Sequence, residues 1–231
     1  MTATPSASRN ARERARAELT REIKQEARRQ LAVHGANGLS LRAVARALGM
    51  VSSALYRYFP SRDELLTALI IDAYDALGQA AEDAEASASA GTRDRWRALC
   101  HAVRGWALAN PHEYALIYGS PVPGYRAPQE TVGSAIRVPQ VIGRVLADTP
   151  DSRSGPDRPL PPVLAQQTAT VADAIAPGAA GPVVARGLIA WTQLFGMISF
   201  ELFGQLVGSA DPADAFFGYA VEQMADFIGL R

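Results

Sequence analysis

The stretch Ser40 to Phe59 constrains the fold of this chain more than any other. Two short segments with apolar stripes meet there at one glycine. Ala45 is small where the second segment must cross closely, and Gly49, four residues on, can take the left-handed conformation that ends a helix. Leu55, six residues further, fills the angle between the two. This spacing suits a helix-turn-helix, and an ordinary helical hairpin satisfies it as well.

Charge separates the two readings. Residues 1–62 hold twelve Lys and Arg against four Glu, a net +8, and because the chain has 23 basic and 23 acidic residues the remainder carries −8. A basic segment joined to an acidic body presents one end to a polyanion and keeps the rest away from it, and nucleic acid is the leading partner.

The periodicity is helical throughout. Leu19, Ile23, Ala27 and Leu31 form one stripe, and the chain turns at Gly35, Asn37 and Gly38. Ser40 is placed to cap the next helix, whose buried face is Leu41, Val44, Ala45 and Leu48. Ser52 is placed to cap a third helix that ends before Pro60. Ser61-Arg62-Asp63-Glu64 reads as a capping box opening a fourth helix to about Glu85. Further helices are expected over 92–109, 111–118, 129–147, 182–207 and 211–227, with exposed loops over 119–128 and 149–162. No segment sustains strand alternation, so the expected fold is all-α. Residues 1–15 lack hydrophobic periodicity and read as a flexible basic arm, followed by a reader over 16–62 and a helical body over 63–231.

Several function classes have no signal. No GxSxG elbow, P-loop, GxGxxG fingerprint or HExxH motif occurs, so no catalytic residue and no cofactor are expected. Cys100 is the single cysteine, and His34, His101 and His112 are scattered without i, i+4 pairing, so no metal site is expected. No uninterrupted apolar run reaches about 18 residues, and no apolar region follows the N-terminal arginines. A cytoplasmic protein with no membrane partner is expected.

The run Gly49-Met50-Val51-Ser52-Ser53-Ala54-Leu55-Tyr56-Arg57-Tyr58-Phe59-Pro60-Ser61-Arg62-Asp63-Glu64-Leu65 resembles the TetR family of repressors. The family pattern is Gly-Val-Ser, three variable residues, Leu-Tyr, an aromatic-Phe pair, then Ser-Lys and an acidic-Leu start to the fourth helix. Val51 stands where many members have Ser, Tyr58 where His is common, and Arg62 where Lys is common. The resemblance implies a three-helix DNA-binding domain with a helix-turn-helix, followed by a helical ligand-binding and dimerisation domain. On that reading the third helix enters the major groove with Ser52, Ser53 and Ala54 toward base edges. Ser40, Arg42, Tyr56, Arg57, Tyr58 and Arg62 are then placed for phosphates, with guanine an alternative target for Arg57.

Trp106 to Tyr114, and Trp191-Thr192-Gln193-Leu194-Phe195-Gly196, resemble a ligand-domain subgroup whose later motif reads Trp, then His-Gly; Phe195 replaces the histidine. The implied effector pocket is therefore mostly apolar. Its candidate residues are Leu66, Ile70, Tyr74, Trp96, Leu99, Cys100, Val103, Trp106, Tyr114, Ile117, Tyr118, Trp191, Phe195 and Ile198, and a filled core accounts for the same pattern. The two closing helices carry more large apolar residues than one buried stripe needs, so Phe200, Phe203, Leu206, Phe216, Phe217 and Met224 are expected at a homodimer interface. The expected function is a regulator bound to a pseudo-palindromic double-stranded DNA operator and released by a small apolar effector. The alternative is a sequence-indifferent architectural DNA-binding protein.

Overall fold

The computed structural model describes residues 5–150 and 159–231, with side chains from Arg9 onward. Among the described residues there are eleven α-helices and no strand. They are α1 (Pro5–His34), α2 (Leu41–Ala47), α3 (Ser52–Leu55), α4 (Arg62–Ser87), α5 (Thr92–Ala109), α6 (Pro111–Tyr118), α7 (Val132–Ala135), α8 (Arg137–Ala147), α9 (Pro162–Ile175), α10 (Gly181–Leu202) and α11 (Asp214–Ile228). The chain forms two compact units. The first takes in the described residues up to Ala73 together with His112–Thr131, and the second those of Tyr74–Pro111 and Val132–Arg231. The unit carrying α1–α3 thus extends beyond the 16–62 segment expected for the reader, because the start of α4 and α6 from His112 onward pack with it.

In the first unit, the α1 stripe Ile23, Ala27 and Leu31 is buried with Leu41, Val44 and Ala45 of α2, Leu55 of α3, and Leu65, Leu66 and Leu69 of α4. Ser40 caps α2, its Oγ accepting the Ala43 N–H at 3.4 Å. Ser61 likewise accepts the Glu64 N–H at 3.1 Å, which forms the serine half of the expected capping box.

In the second unit, Trp96, Leu99, Cys100, Val103 and Ala107 make one buried face of α5. It packs against α8, α10 and α11. The Trp96 indole N–H donates to the Val221 carbonyl at 3.2 Å, tying α5 to α11. Arg137 of α8 crosses α4 at Gly78, where an added Cβ would lie 2.6 Å from the Arg137 Cβ. Its guanidinium binds Glu82, Asp75 and Gln79. By length and hydropathy α10 could span a membrane, yet half of its most apolar window is buried within the protein.

Several expectations change. Residues 5–15, read as a flexible arm, are the first part of α1, while residues 1–4 lie outside the described residues. Alanine, arginine and glutamate favour helix without any buried face, and the described side chains from Arg9 to Ala17 are exposed. The helix expected over 129–147 breaks at Ile136. Helix α9 was not expected from the sequence, since its small residues bury little beyond Thr168 and Ala172. Helix α10 stops at Leu202 rather than Val207 because Gly204 turns left-handed at φ 76°. The Gln205 and Gly204 N–H groups then bond back to the Phe200 and Glu201 carbonyls. Helix α11 starts at Asp214 rather than Asp211. Part of the loop expected over 149–162, residues 151–158, lies outside the described residues.

Candidate nucleic-acid interface

The turn between α2 and α3 is built by backbone geometry. Gly49 takes φ 67°, its N–H bonds the Arg46 carbonyl at 3.1 Å, and the Met50 N–H bonds the Ala45 carbonyl at 2.8 Å. These two bonds close the end of α2 and fix the angle at which α3 leaves. Leu55 is fully buried beneath the crossing.

The expected cap on α3 is corrected. Val51, not Ser52, is the N-cap; its backbone is extended at φ −71°, ψ 137°, and no side chain caps the helix. Ser52 is the first helical residue, because the Ala54 N–H already reaches the Val51 carbonyl at 2.9 Å. Ser52, Ser53, Tyr56 and Arg57 are exposed, whereas Ala54 is half-buried. Arg42 and Arg46 of α2 are exposed beside them, and Ser40 is half-buried at its cap.

Two arginines behave differently from the sequence reading. Arg62 is half-buried and turns inward: its Nη2 donates to the Ala36 carbonyl at 2.8 Å and its Nε to the Leu39 carbonyl at 3.2 Å. It therefore clamps the connection between α1 and α2 instead of standing free. Arg16, the first residue of the segment assigned to the reader, sits 5.1 Å over the Tyr58 ring and donates to the Arg57 carbonyl at 3.4 Å. This contact spans 41 residues of sequence, so no local pattern signals it.

The candidate effector residues divide between the units. Leu66, Ile70 and Tyr114 are buried in the first, with Ile117 and Tyr118 half-buried. Trp96, Leu99, Cys100, Val103, Phe195 and Ile198 are buried in the second, with Tyr74, Trp106 and Trp191 half-buried. Burial, with a smaller push from Glu222, raises the Cys100 thiol well above its ordinary value, leaving it protonated. The Trp191 indole nitrogen is buried without a hydrogen-bond acceptor, and its ring meets Phe195 edge-on at 6.3 Å. A cavity of about 240 Å³ lies within the first unit, lined by Leu31, His34, Asn37, His112, Leu116 and Val122 among others.

The candidate dimer residues also divide. Phe200, Phe203 and Phe216 are exposed and Leu206 is half-buried. Phe217 and Met224 are corrections: both are buried inside their own chain. The Arg104 guanidinium lies 4.9 Å over the Phe217 ring, and His101 meets that ring edge-on at 5.5 Å. Helix α11 needs an inner face of Phe217, Val221, Met224 and Ile228, and the i, i+4, i+7, i+11 spacing puts all four there.

A glycine-turned pair of helices, with exposed serine hydroxyls at the start of the second and exposed arginines on the first and just past the second, defines a helix-turn-helix DNA-binding protein. Residues 23–69 match the family described as bacterial regulatory proteins, tetR family, and residues 96–224 match the tetracyclin repressor-like C-terminal domain. The chain belongs to the TetR family of transcriptional regulators, which are not enzymes. It is 44% identical over 199 residues to helix-turn-helix transcriptional regulators of Mycobacterium tuberculosis and Mycobacterium bovis, covering 83% of each chain. A crystal structure described as a regulatory protein superposes with a TM-score of 0.79 at 36% identity, covering 93% of this chain and 98% of the other.

Proposed function

We propose that the protein is a repressor that binds a pseudo-palindromic operator as a homodimer in the cytoplasm and is released by a small, mostly apolar effector. One observation carries the DNA-reading part. The Gly49 turn holds α3 so that Ser52, Ser53, Tyr56 and Arg57 are exposed together on the unit with the excess of basic residues. Ser52 and Ser53 read base edges, and Arg42, Tyr56 and Arg57 meet phosphates. Ser40 supports the first turn of α2, Tyr58 supports Arg16, and Ala54 lies at the edge of the contact.

The dimer reading rests on an exposed stripe. Ile189, Gly196 and Phe200 run along one face of α10 with Phe203 at its C-cap, and Phe216 and Tyr219 along one face of α11. Pairing these faces with a second copy gives a four-helix bundle that removes them from water. The effector reading rests on Trp191, whose buried N–H, beside the Phe195 ring, offers a donor to a ligand acceptor.

Selection of bound sequences from random duplex DNA tests the reading. The expected result is one inverted repeat with half-sites about a helical turn apart, bound at least about 10³-fold tighter than random DNA. Recovery of no preferred sequence would favour an architectural DNA binder instead.

A further inference from the structure

We propose that Val51 is a specificity-determining residue that reads the C5-methyl group of a thymine in the operator. The inference rests on the reading of α3 as the groove helix. Val51 is the N-cap of that helix, the position where Ser, Thr, Asp or Asn would accept a hydrogen bond from a free backbone N–H. Valine has no oxygen to accept one. The residue is also 70% exposed, so it contributes little to the core. It is nonetheless carried on a fixed backbone. The Met50 N–H is bonded to Ala45 on one side and the Ala54 N–H to Val51 itself on the other.

An isopropyl group is thus held at the tip of the reading helix, directly before two exposed serines. The serine hydroxyls donate or accept equally well and discriminate weakly between bases. The isopropyl group cannot replace the water bound to a base-edge donor or acceptor. The apolar group that the major groove offers is the C5-methyl of thymine. Contact between the two removes both from water. Half-buried Ala54 is the rival for that methyl, and Val51 stands further out. Burying one methyl-sized group corresponds to about fourfold in affinity per half-site.

The experiment uses the full chain and the site it selects from random DNA. Each thymine is replaced in turn by deoxyuridine, which lacks only the methyl. Val51→Ser is the test variant, since it returns a capping hydroxyl to α3 and leaves the fold intact. The expected result is that the unsubstituted protein loses about fourfold at one thymine position in each half-site. Val51→Ser should bind the thymine and uracil sites alike, and its own selected site should show no thymine preference there. Indifference of the unsubstituted protein to uracil at every position would overturn the proposal, as would a uracil penalty that persists in Val51→Ser. Ser53→Ala and Tyr56→Phe separate the two levels. If these two change affinity while Val51→Ser does not, the valine assignment fails and α3 remains the reader; if all three are silent, α3 is not the reader.

Discussion

Arg28 Nε lies 2.7 Å from Glu113 Oε1, so the first helix of the reader and the first turn of α6 share a charge-assisted hydrogen bond. The same guanidinium reaches Asp72 of α4 at 2.7 Å, and Lys24 reaches the other oxygen of Asp72 at 2.8 Å. Asp72 and Glu113 each stand one residue from a point where the chain passes between its two units. The network therefore fastens α1 to both of those segments within its own unit. All four side chains retain some solvent contact, so each pair stabilises modestly. Glu113→Gln should lower stability by about 0.5–1 kcal/mol and Arg28→Gln by somewhat more. A double-mutant cycle in urea unfolding checks this: a coupling energy near zero would show that the contact contributes nothing.

Arg62→Ala should act through stability rather than charge. The substitution leaves the Ala36 and Leu39 carbonyls without their guanidinium donor, a loss of about 1–3 kcal/mol. Thermal unfolding and the salt dependence of DNA binding, measured together, distinguish the roles. The midpoint should fall while the slope of log affinity against log salt stays unchanged. A slope reduced by about one unit with no loss of stability would return Arg62 to the phosphates.

Phe200 and Phe217 should respond oppositely to the same change. Phe200→Glu places a carboxylate on an exposed face of α10 and should give a folded chain that no longer self-associates and binds its operator weakly. Phe217→Glu puts a charge into the core where the ring now meets His101 and Arg104 and should unfold the second unit, at a cost of several kcal/mol. Sedimentation and circular dichroism read the two outcomes. A wild-type chain that is monomeric at micromolar concentration would refute the dimer.

Acid should weaken the body. The hydrogen bond from Arg137 holds the Glu82 carboxyl below its ordinary value of 4.5, and those from Arg97 and Arg93 do the same for Glu222. At Glu85 burial pushes upward, yet the bonds from Arg144 and Arg95 outweigh it, and its value is also lowered. Carboxyls whose values are depressed by folding stabilise the protein above the ordinary carboxylate value, and that contribution disappears as pH falls through the depressed values. Urea midpoints should be nearly flat from pH 7 to about 5 and fall below about 4.5. Glu82→Gln should flatten the decline. A midpoint that rises on acidification from 5 to 3 would contradict the assignment.

Much of the reader was legible because its determinants are local. Gly49 is placed where α2 must end, Ser40 and Ser61 accept N–H groups three residues ahead, and Pro60 bars continuation of α3. The cap on α3 was misread because Val51 has no side-chain oxygen and Ser52 lies next to it. The backbone alone chose where the helix began. Helix α9 escaped notice for a related reason. Its sequence has no strong apolar stripe, and it is seated by a close approach in which a Cβ on Gly143 would lie 1.9 Å from the Ile175 carbonyl oxygen.

By itself the sequence determined that the chain is helical, where its glycine and proline stops fall, and that its basic charge is gathered with a helix-turn-helix. These properties follow from propensity, period and capping within a few residues. Tertiary structure alone decided which members of an apolar list face inward. It put Phe217 and Met224 in the core and left Phe200, Phe203 and Phe216 outside, because burial depends on which neighbouring helix covers a face. It also decided the arginines. The same residue type is exposed at Arg57, clamps backbone carbonyls at Arg62 and joins three helices at Arg28, since a long cation takes whatever acceptors folding brings within reach.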